Sequence, residues 1–257
     1  MNKIIFFGNG PLADYALSVL EKGSEVIFHA REKADLEKVK ELKVAHPEAH
    51  GVLASFGVMI KSDVLDLFEP EGILNIHPSL LPSYRGASPI ESAILNGDKD
   101  FSVSIMKLVL AMDAGPIYHQ ETLHDLPFCK NEIYKALAEY GAKWITENIS
   151  ALPEPFNQDN EKATFTKKFE KSDGIFDFKT TPSEVAFRKI VAFQGFPKVK
   201  YTFFGLPCII LEAHVLKQGE TAALTISCLD GALGVDRLQP EGRKAMDAKS
   251  FLNGYKK

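Results

Sequence analysis

Residues 3–23 read KIIFFGNGPLADYALSVLEKG. An apolar run ends at Gly8-Asn9-Gly10, and Pro11 then opens a pattern in which Ala13, Ala16, Leu17 and Leu20 recur at helical spacing. Proline suits a first helical position because its φ is fixed and an N–H there would have no partner. Gly23 fits the end of that helix. Strand, glycine turn and helix is the opening unit of a doubly wound α/β sheet. The same alternation continues, with strands predicted at 25–29 (EVIFH), 51–55 (GVLAS) and 72–76 (GILNI), a charged amphipathic helix over 33–44 and a short helix over 61–68. Strands alternating with helices predict a mostly parallel sheet with a Rossmann-like layer order.

Further along, a helix is expected over 88–95, strands over 102–110 and 117–123 around a turn at 112–116, and a helix over 131–149 that carries the single tryptophan, Trp144. The stretch 151–162 (ALPEPFNQDNEK) is polar and broken by prolines, which marks an interdomain linker. After a helix over 182–191 come short runs at 198–204, 208–215, 222–228 and 232–239 with Gly or Pro turns between them, the spacing of a small β-barrel. Charge divides at the same place. Residues 1–160 hold 14 Lys+Arg and 23 Asp+Glu, and residues 161–257 hold 16 and 11, giving −9 and +5, together the −4 of the whole chain. A basic second part suits a polyanionic partner.

At 45% hydrophobic and 25% charged residues, the 257-residue chain has a globular balance. No apolar run is long enough to span a bilayer, and the N-terminus lacks a signal-peptide pattern, so a cytoplasmic protein is expected. Cys129, Cys208 and Cys228 show no CxxC spacing, so reduced thiols and no structural zinc are expected.

Three patterns bear on chemistry. Gly8 to Ala13 matches G-x-G-x-x-A between a strand and a helix, and Arg31 follows the second strand; an NADP-dependent oxidoreductase fits this, and so does tight strand–helix packing with no nucleotide. His46-Pro47-Glu48-Ala49-His50 is not H-E-x-x-H, and its proline interrupts a helix, so it reads as surface. The third is ILNIHPSLLPSYRGASPI at 73–90. Asn75 and His77, two apart on a strand, point the same way at its carboxyl end. Their donors fit an oxyanion clamp, and they equally fit ordinary turn hydrogen bonds. Asp113, in the later M-D-A-G-P loop, favours the first reading: a carboxylate beside the imidazole favours its protonated form and can accept a proton from an attacking amine. No G-x-S-x-G or placed cysteine offers a nucleophile, so direct acyl transfer to nitrogen is the simpler scheme.

The block N-I-H-P-S-L-L-P-S-Y-R-G-A-S-P-I, followed by M-D-A-G-P-I, resembles the 10-formyltetrahydrofolate-dependent formyltransferases. The Y-R-G-x-x-P-I extension is similar to the methionyl-tRNA and sugar-amine branches, and the H-P-S step to the purine-synthesis branch. In the tail, T-F-T-K-K, D-G-I-F-D-F, R-K-I-V-A-F-Q-G-F-P and L-Q-P-E-G-R-K-A-M resemble the methionyl-tRNA formyltransferases. The resemblance implies a formyltransferase catalytic domain over 1–150, a linker over 151–171 and an OB-like β-barrel over 172–257. It implies Asn75, His77 and Asp113 as the catalytic set. Ser79, Leu80, Leu81 and Pro82 would line the folate site, and Ser55, Phe56, Gly57, Val58, Met59 and Ile60 would offer backbone groups to the pterin. The implied reaction moves a formyl group from 10-formyltetrahydrofolate to methionyl-initiator tRNA, without a metal. Lys162, Lys167, Lys168 and Lys171 are candidate phosphate contacts, and the enzyme is expected to be a monomer.

The chain departs from that family in one respect. A long basic insertion usual after the second strand is missing, and residues 31–52 offer only a helix and a turn. Two further readings therefore stand beside the oxidoreductase: an N-formyltransferase acting on an amino sugar nucleotide, and a non-enzymatic RNA- or folate-binding protein.

Overall fold

The computed structural model describes residues 1–255, so the last two residues of the expected C-terminal domain lie outside the described residues. The chain forms two compact units. The first comprises Met1–Ile90 and Lys99–Lys167; the second comprises Glu91–Asp98 and the described residues from Lys168 onward.

In chain order the elements up to residue 150 are β1 (Lys3–Gly8), α1 (Pro11–Gly23), β2 (Glu25–Ala30), α2 (Asp35–Ala45), β3 (His50–Ala54), α3 (Ser62–Leu65) with a 3₁₀ turn at Asp66–Phe68, β4 (Ile73–His77), α4 (Pro89–Asn96), β5 (Phe101–Lys107), β6 (Ile117–Leu123) and α5 (Lys130–Asn148). The six strands lie in the order β2-β1-β3-β4-β5-β6. The first four are parallel, and β5 and β6 run antiparallel. This is the mostly parallel sheet expected. The direction changes where crossover helices stop: most of α4 belongs to the second unit, and β5 and β6 are joined by a loop alone.

Next to the edge strand β2 lies β1, whose Ile4, Ile5, Phe6 and Phe7 are all fully buried. Burial of each such side chain stabilises the fold by roughly 1.5–3 kcal/mol. Ile5, Phe7, Leu53 and Ile73 join Val39 of α2, Val64 and Leu65 of α3 and Phe68 in one apolar cluster, which defines one face of the sheet. On the other face α5 lies close, because a Cβ on Gly141 would come within 2.7 Å of Ile76. The β1–α1 turn is equally tight. A Cβ on Gly8 would meet the Ala54 carbonyl oxygen at 2.6 Å and the Ala13 Cβ at 2.7 Å, so this glycine is required by packing. Gly10 has φ +87° with open space around it, so there the requirement is the backbone conformation.

Of the linker expected over 151–171, the part up to Lys167 is tied into the first unit. Phe156 exchanges backbone hydrogen bonds with Ile117 (2.9 and 2.8 Å), and Arg85 with Thr164 and Thr166 (2.9 and 2.7 Å). The second unit holds α6 (Ser183–Ala192), β7 (Val199–Phe203), β8 (Leu206–Val215), β9 (Leu224–Ser227), β10 (Ala232–Pro240), β11 (Met246–Asp247) and α7 (Ala248–Tyr255). Its strands form a small curled antiparallel sheet, β11-β10-β8-β7, with β9 also on β10. No sequence pattern points to α7. Its eight residues AKSFLNGY include Asn and Gly, and Phe251 is its one large buried side chain, stacked on Tyr255 and edge-on to Phe203.

Gly8→Ala is expected to cost roughly 1–3 kcal/mol by overpacking, and Gly10→Ala roughly 1–2 kcal/mol through its left-handed backbone alone. Urea unfolding of both variants measures this. An unchanged midpoint for Gly8→Ala would show that the first glycine does not serve packing.

Candidate active site

Ile73, Asn75 and His77 alternate onto one face of β4, and the apolar Ile73 fixes which face that is. Asn75 and His77 are only 5% and 4% exposed, at the end of a strand buried on both sides. A cavity of about 230 Å³ opens there, lined by Leu12, Leu53, Ser55, Gly57, Asn75, Ile76, His77, Pro78, Gly86, Ala87, Pro89, Asp113 and Tyr134. The three expected catalytic side chains therefore share one cavity. The Asn75 amide makes no hydrogen bond to any described residue. The amide is not among the fully buried polar atoms that lack a partner, so it opens onto the cavity, where its donor is available to a ligand.

The His77 ring is oriented from behind. Its Nε2 lies 3.1 Å from the Tyr84 carbonyl oxygen, which can only accept, so Nε2 carries a proton. Nδ1 is then left toward Asp113, whose Oδ1 lies 3.7 Å away, beyond hydrogen-bond distance. Burial pushes the His77 pKa down, and the nearby Arg85 charge adds to this; Asp113 and the Tyr84 carbonyl pull it up without reversing the direction. Asp113 favours the imidazolium, as expected, but desolvation of the ring outweighs that attraction, so the net shift favours the neutral form. The other Asp113 oxygen, Oδ2, accepts from the Gly86 N–H at 2.7 Å. Ser55, Tyr84 and Asp113 all have positive φ (54°, 58° and 47°), so three non-glycine residues at the cavity loops hold a sparsely populated backbone conformation.

The other expected site residues divide by role. Ser104 on β5 is a hub for the loop after β4. Its hydroxyl donates to the Ser79 carbonyl (2.6 Å) and accepts from the Leu81 N–H (3.1 Å) and the Gln120 amide (2.9 Å), and Gln120 also donates to the Leu81 carbonyl (2.9 Å). Leu81 is buried with Met106 and Ile117, while Leu80 is 47% exposed. Ser79, Leu80, Leu81 and Pro82 are not among the residues lining the cavity. In the stretch after β3, Phe56 and Ile60 are buried in the core cluster with Val58 packed against it, Ser55 and Gly57 line the cavity, and Met59 is exposed. All four candidate lysines are exposed; Lys162, which pairs with Asp159 at 3.0 Å, and Lys167 belong to the first unit, Lys168 and Lys171 to the second. Among the described residues no group of three or more His, Cys, Asp or Glu is placed to hold a metal, and no helix is long and apolar enough to cross a membrane.

Sequence reading missed Leu12 and Tyr134 in the cavity wall and Ser104, Gln120 and Gln158 behind it. Leu12 is a variable position of the G-x-G-x-x-A stretch and the others sit in no recognisable motif, and their roles arise from chain segments far apart in sequence. Arg85, set outside the catalytic group, is 4% exposed and bonded to Gln158 and Asn160.

Polar side chains gathered in a cavity at the carboxyl end of a strand in a doubly wound sheet suit a group-transfer enzyme, and comparison with known proteins bears on the class. The family model for formyl transferases matches residues 11–149, and that for their C-terminal domain matches residues 168–256. Methionyl-tRNA formyltransferase of Granulibacter bethesdensis is 35% identical over 80% of this chain and 68% of its own length. That of Dictyoglomus turgidum is 31% identical over 96% and 82%. The chain belongs to the methionyl-tRNA formyltransferase family. It is a formyltransferase, and its family takes the formyl group from formyltetrahydrofolate. Solved structures similar in fold include HypX from Aquifex aeolicus in complex with tetrahydrofolic acid (18% identity, TM-score 0.76, all of this chain and 48% of that one). They also include methionyl-tRNA formyltransferase from Clostridium thermocellum (18%, 0.66, 93% and 98%) and WlaRD, a sugar 3N-formyl transferase with dTDP and 5-N-formyl-THF (17%, 0.65, 95% and 99%). The chain thus spans about half the length of HypX.

Because the folded His77 pKa lies below the usual value of about 6.5, the unfolded chain takes up that proton first as pH falls, and the folded state loses stability. Urea unfolding between about pH 7.5 and 5.5 is expected to show a smaller loss for His77→Asn than for the wild type. Equal losses would show that burial does not hold His77 neutral.

Proposed function

We propose that the protein transfers the formyl group of 10-formyltetrahydrofolate to the α-amine of methionyl-initiator tRNA. The observation that carries the chemistry is the Asn75 amide, which has no hydrogen-bond partner among the described residues and opens onto the same cavity as His77 and Asp113. That amide donor fits a formyl oxygen, and Ser55 and Gly57 in the cavity wall leave backbone groups for the donor's ring. The acceptor rests on the two sequence relatives named above, both methionyl-tRNA formyltransferases, together with the basic second part of the chain.

In this reading Asn75 donates to the formyl oxygen as the free amine attacks the carbonyl carbon and negative charge develops there. His77 enters neutral, because burial outweighs Asp113, and accepts the amine proton at Nδ1. The resulting imidazolium is held between Asp113 and the Tyr84 carbonyl. It then gives the proton to the nitrogen that leaves the formyl carbon, so the new C–N bond forms as the old one breaks and no covalent enzyme intermediate is needed. Lys162, Lys167, Lys168 and Lys171 are proposed phosphate contacts. Ser79, Leu80, Leu81 and Pro82 are proposed to line the folate site, and Ser55, Phe56, Gly57, Val58, Met59 and Ile60 to offer backbone groups to the pterin. The enzyme is proposed to act as a cytoplasmic monomer.

A second acceptor class, amino sugar nucleotides, has one observation in its favour. The link from β2 to β3 carries only the eleven-residue α2, which leaves no basic arm for an acceptor stem. Incubation with 10-formyltetrahydrofolate and each acceptor separates the two, and formyl-methionyl-tRNA is the expected product. Product only from the sugar nucleotide would replace the acceptor and keep the donor. Asn75→Ala is expected to lower kcat by roughly 10²–10³; near-normal turnover would remove Asn75 from the oxyanion clamp.

A further inference from the structure

We infer that Gln158 is a positioning residue that fixes the Asp113 carboxylate opposite His77, with Arg85 as its buried anchor. This rests on the proposed role of Asp113. The Gln158 side chain uses all of its hydrogen-bonding capacity. Its Nε2 donates to the carbonyl oxygens of Asp113 (2.8 Å) and Gly115 (2.7 Å), on both sides of the turn that carries the carboxylate. Its Oε1 accepts twice from Arg85, from Nε at 3.0 Å and Nη2 at 2.6 Å. Arg85 Nη2 also donates to the Asn160 Oδ1 at 2.8 Å. Arg85 therefore lies buried against two neutral amides and makes no ion pair among the described residues.

The arrangement answers a specific need. Asp113 has φ 47°, a conformation that persists only when its surroundings enforce it. Gly115 is pressed so closely against the Lys107 carbonyl that no Cβ fits, which holds one end of the turn. Gln158 holds the other end from outside and joins it to the loop after β4, since Arg85 lies one residue before Gly86, whose N–H binds Asp113 Oδ2. The backbone around the anchor is stitched in the same way: Tyr84 N–H donates to Thr164 Oγ1 (2.8 Å), and Thr164 N–H to the Pro82 carbonyl (3.2 Å). Residues 156–166 are thus a strap across both catalytic loops, and Gln158 is the side chain that touches both.

Gln158→Glu separates the two halves of this role. A carboxylate keeps both bonds to Arg85, and so the fold, but presents no donor to the Asp113 and Gly115 carbonyls. Gln158→Met keeps the size and removes all four bonds. Both are measured beside Asp113→Asn by steady-state kinetics with 10-formyltetrahydrofolate and whichever acceptor the wild type turns over, together with thermal midpoints. The expected result for both Gln158 variants is a fall in kcat of roughly 10- to 100-fold from a misplaced carboxylate, with both KM values within about twofold of wild type. The Gln158→Glu midpoint is expected to stay unchanged. Gln158 variants with wild-type kcat beside an inactive Asp113→Asn would overturn the strap alone. So would a kcat loss in Gln158→Glu matched by a lowered midpoint and raised KM values, which marks a merely structural residue. An Asp113→Asn enzyme with wild-type kcat would overturn the role of Asp113 itself.

Discussion

The site depends on the cost of leaving Asn75 and His77 polar at the end of a strand that is otherwise hydrocarbon. The strand β4 runs through the middle of the sheet, between β3 and β5, and all five of its residues are buried. Polar groups persist in such a place only when bonded or reserved for a ligand. His77 is bonded, through Nε2 to the Tyr84 carbonyl. Asn75 is not, and its amide faces the cavity. The same burial that makes the pair costly makes it effective, since hydrogen bonds aimed at a developing charge are stronger away from water.

Burial also sets the starting protonation state. Two forces act on His77 in opposite directions, and burial outweighs the attraction of Asp113, whose carboxylate lies 3.7 Å away. A direct hydrogen bond from Nδ1 would favour the imidazolium at rest. At the observed distance the carboxylate instead lowers the cost of charging the ring when a proton arrives, which suits a group that must accept and then release one. Holding that gap requires a loop that does not drift. The Ser104 and Gln120 hub on one side and the Arg85 and Gln158 pair on the other supply the restraint through bonds between segments as much as 75 residues apart in sequence.

Much of this architecture was legible beforehand because it is written in local pattern. The run KIIFFG with its glycine turn and Pro11 marked a buried strand feeding a helix, and the alternation that followed marked the sheet. Asn75, His77 and Asp113 were readable because polar residues at strand ends and in a Gly-containing loop stand out against apolar neighbours. The short helix α7 was not legible, since eight residues with a single large buried side chain show no periodicity. Residues 151–167 looked like free linker because a proline-rich polar segment carries no signal for the backbone bonds it makes to Arg85 and Ile117.

By itself, then, the sequence determined the layer order, the strand that carries the polar pair, and the three side chains that meet at the cavity, because hydrophobic period and turn chemistry are local properties of the chain. Only the tertiary structure decided that burial outweighs Asp113 at His77, that Gly8 serves packing, that Ser104 and Gln120 hold the S-L-L-P loop, and that Gln158 reaches both the loop after β4 and the turn at Asp113. Each of these depends on burial or on a distance between remote segments, and neither quantity exists until the chain has folded.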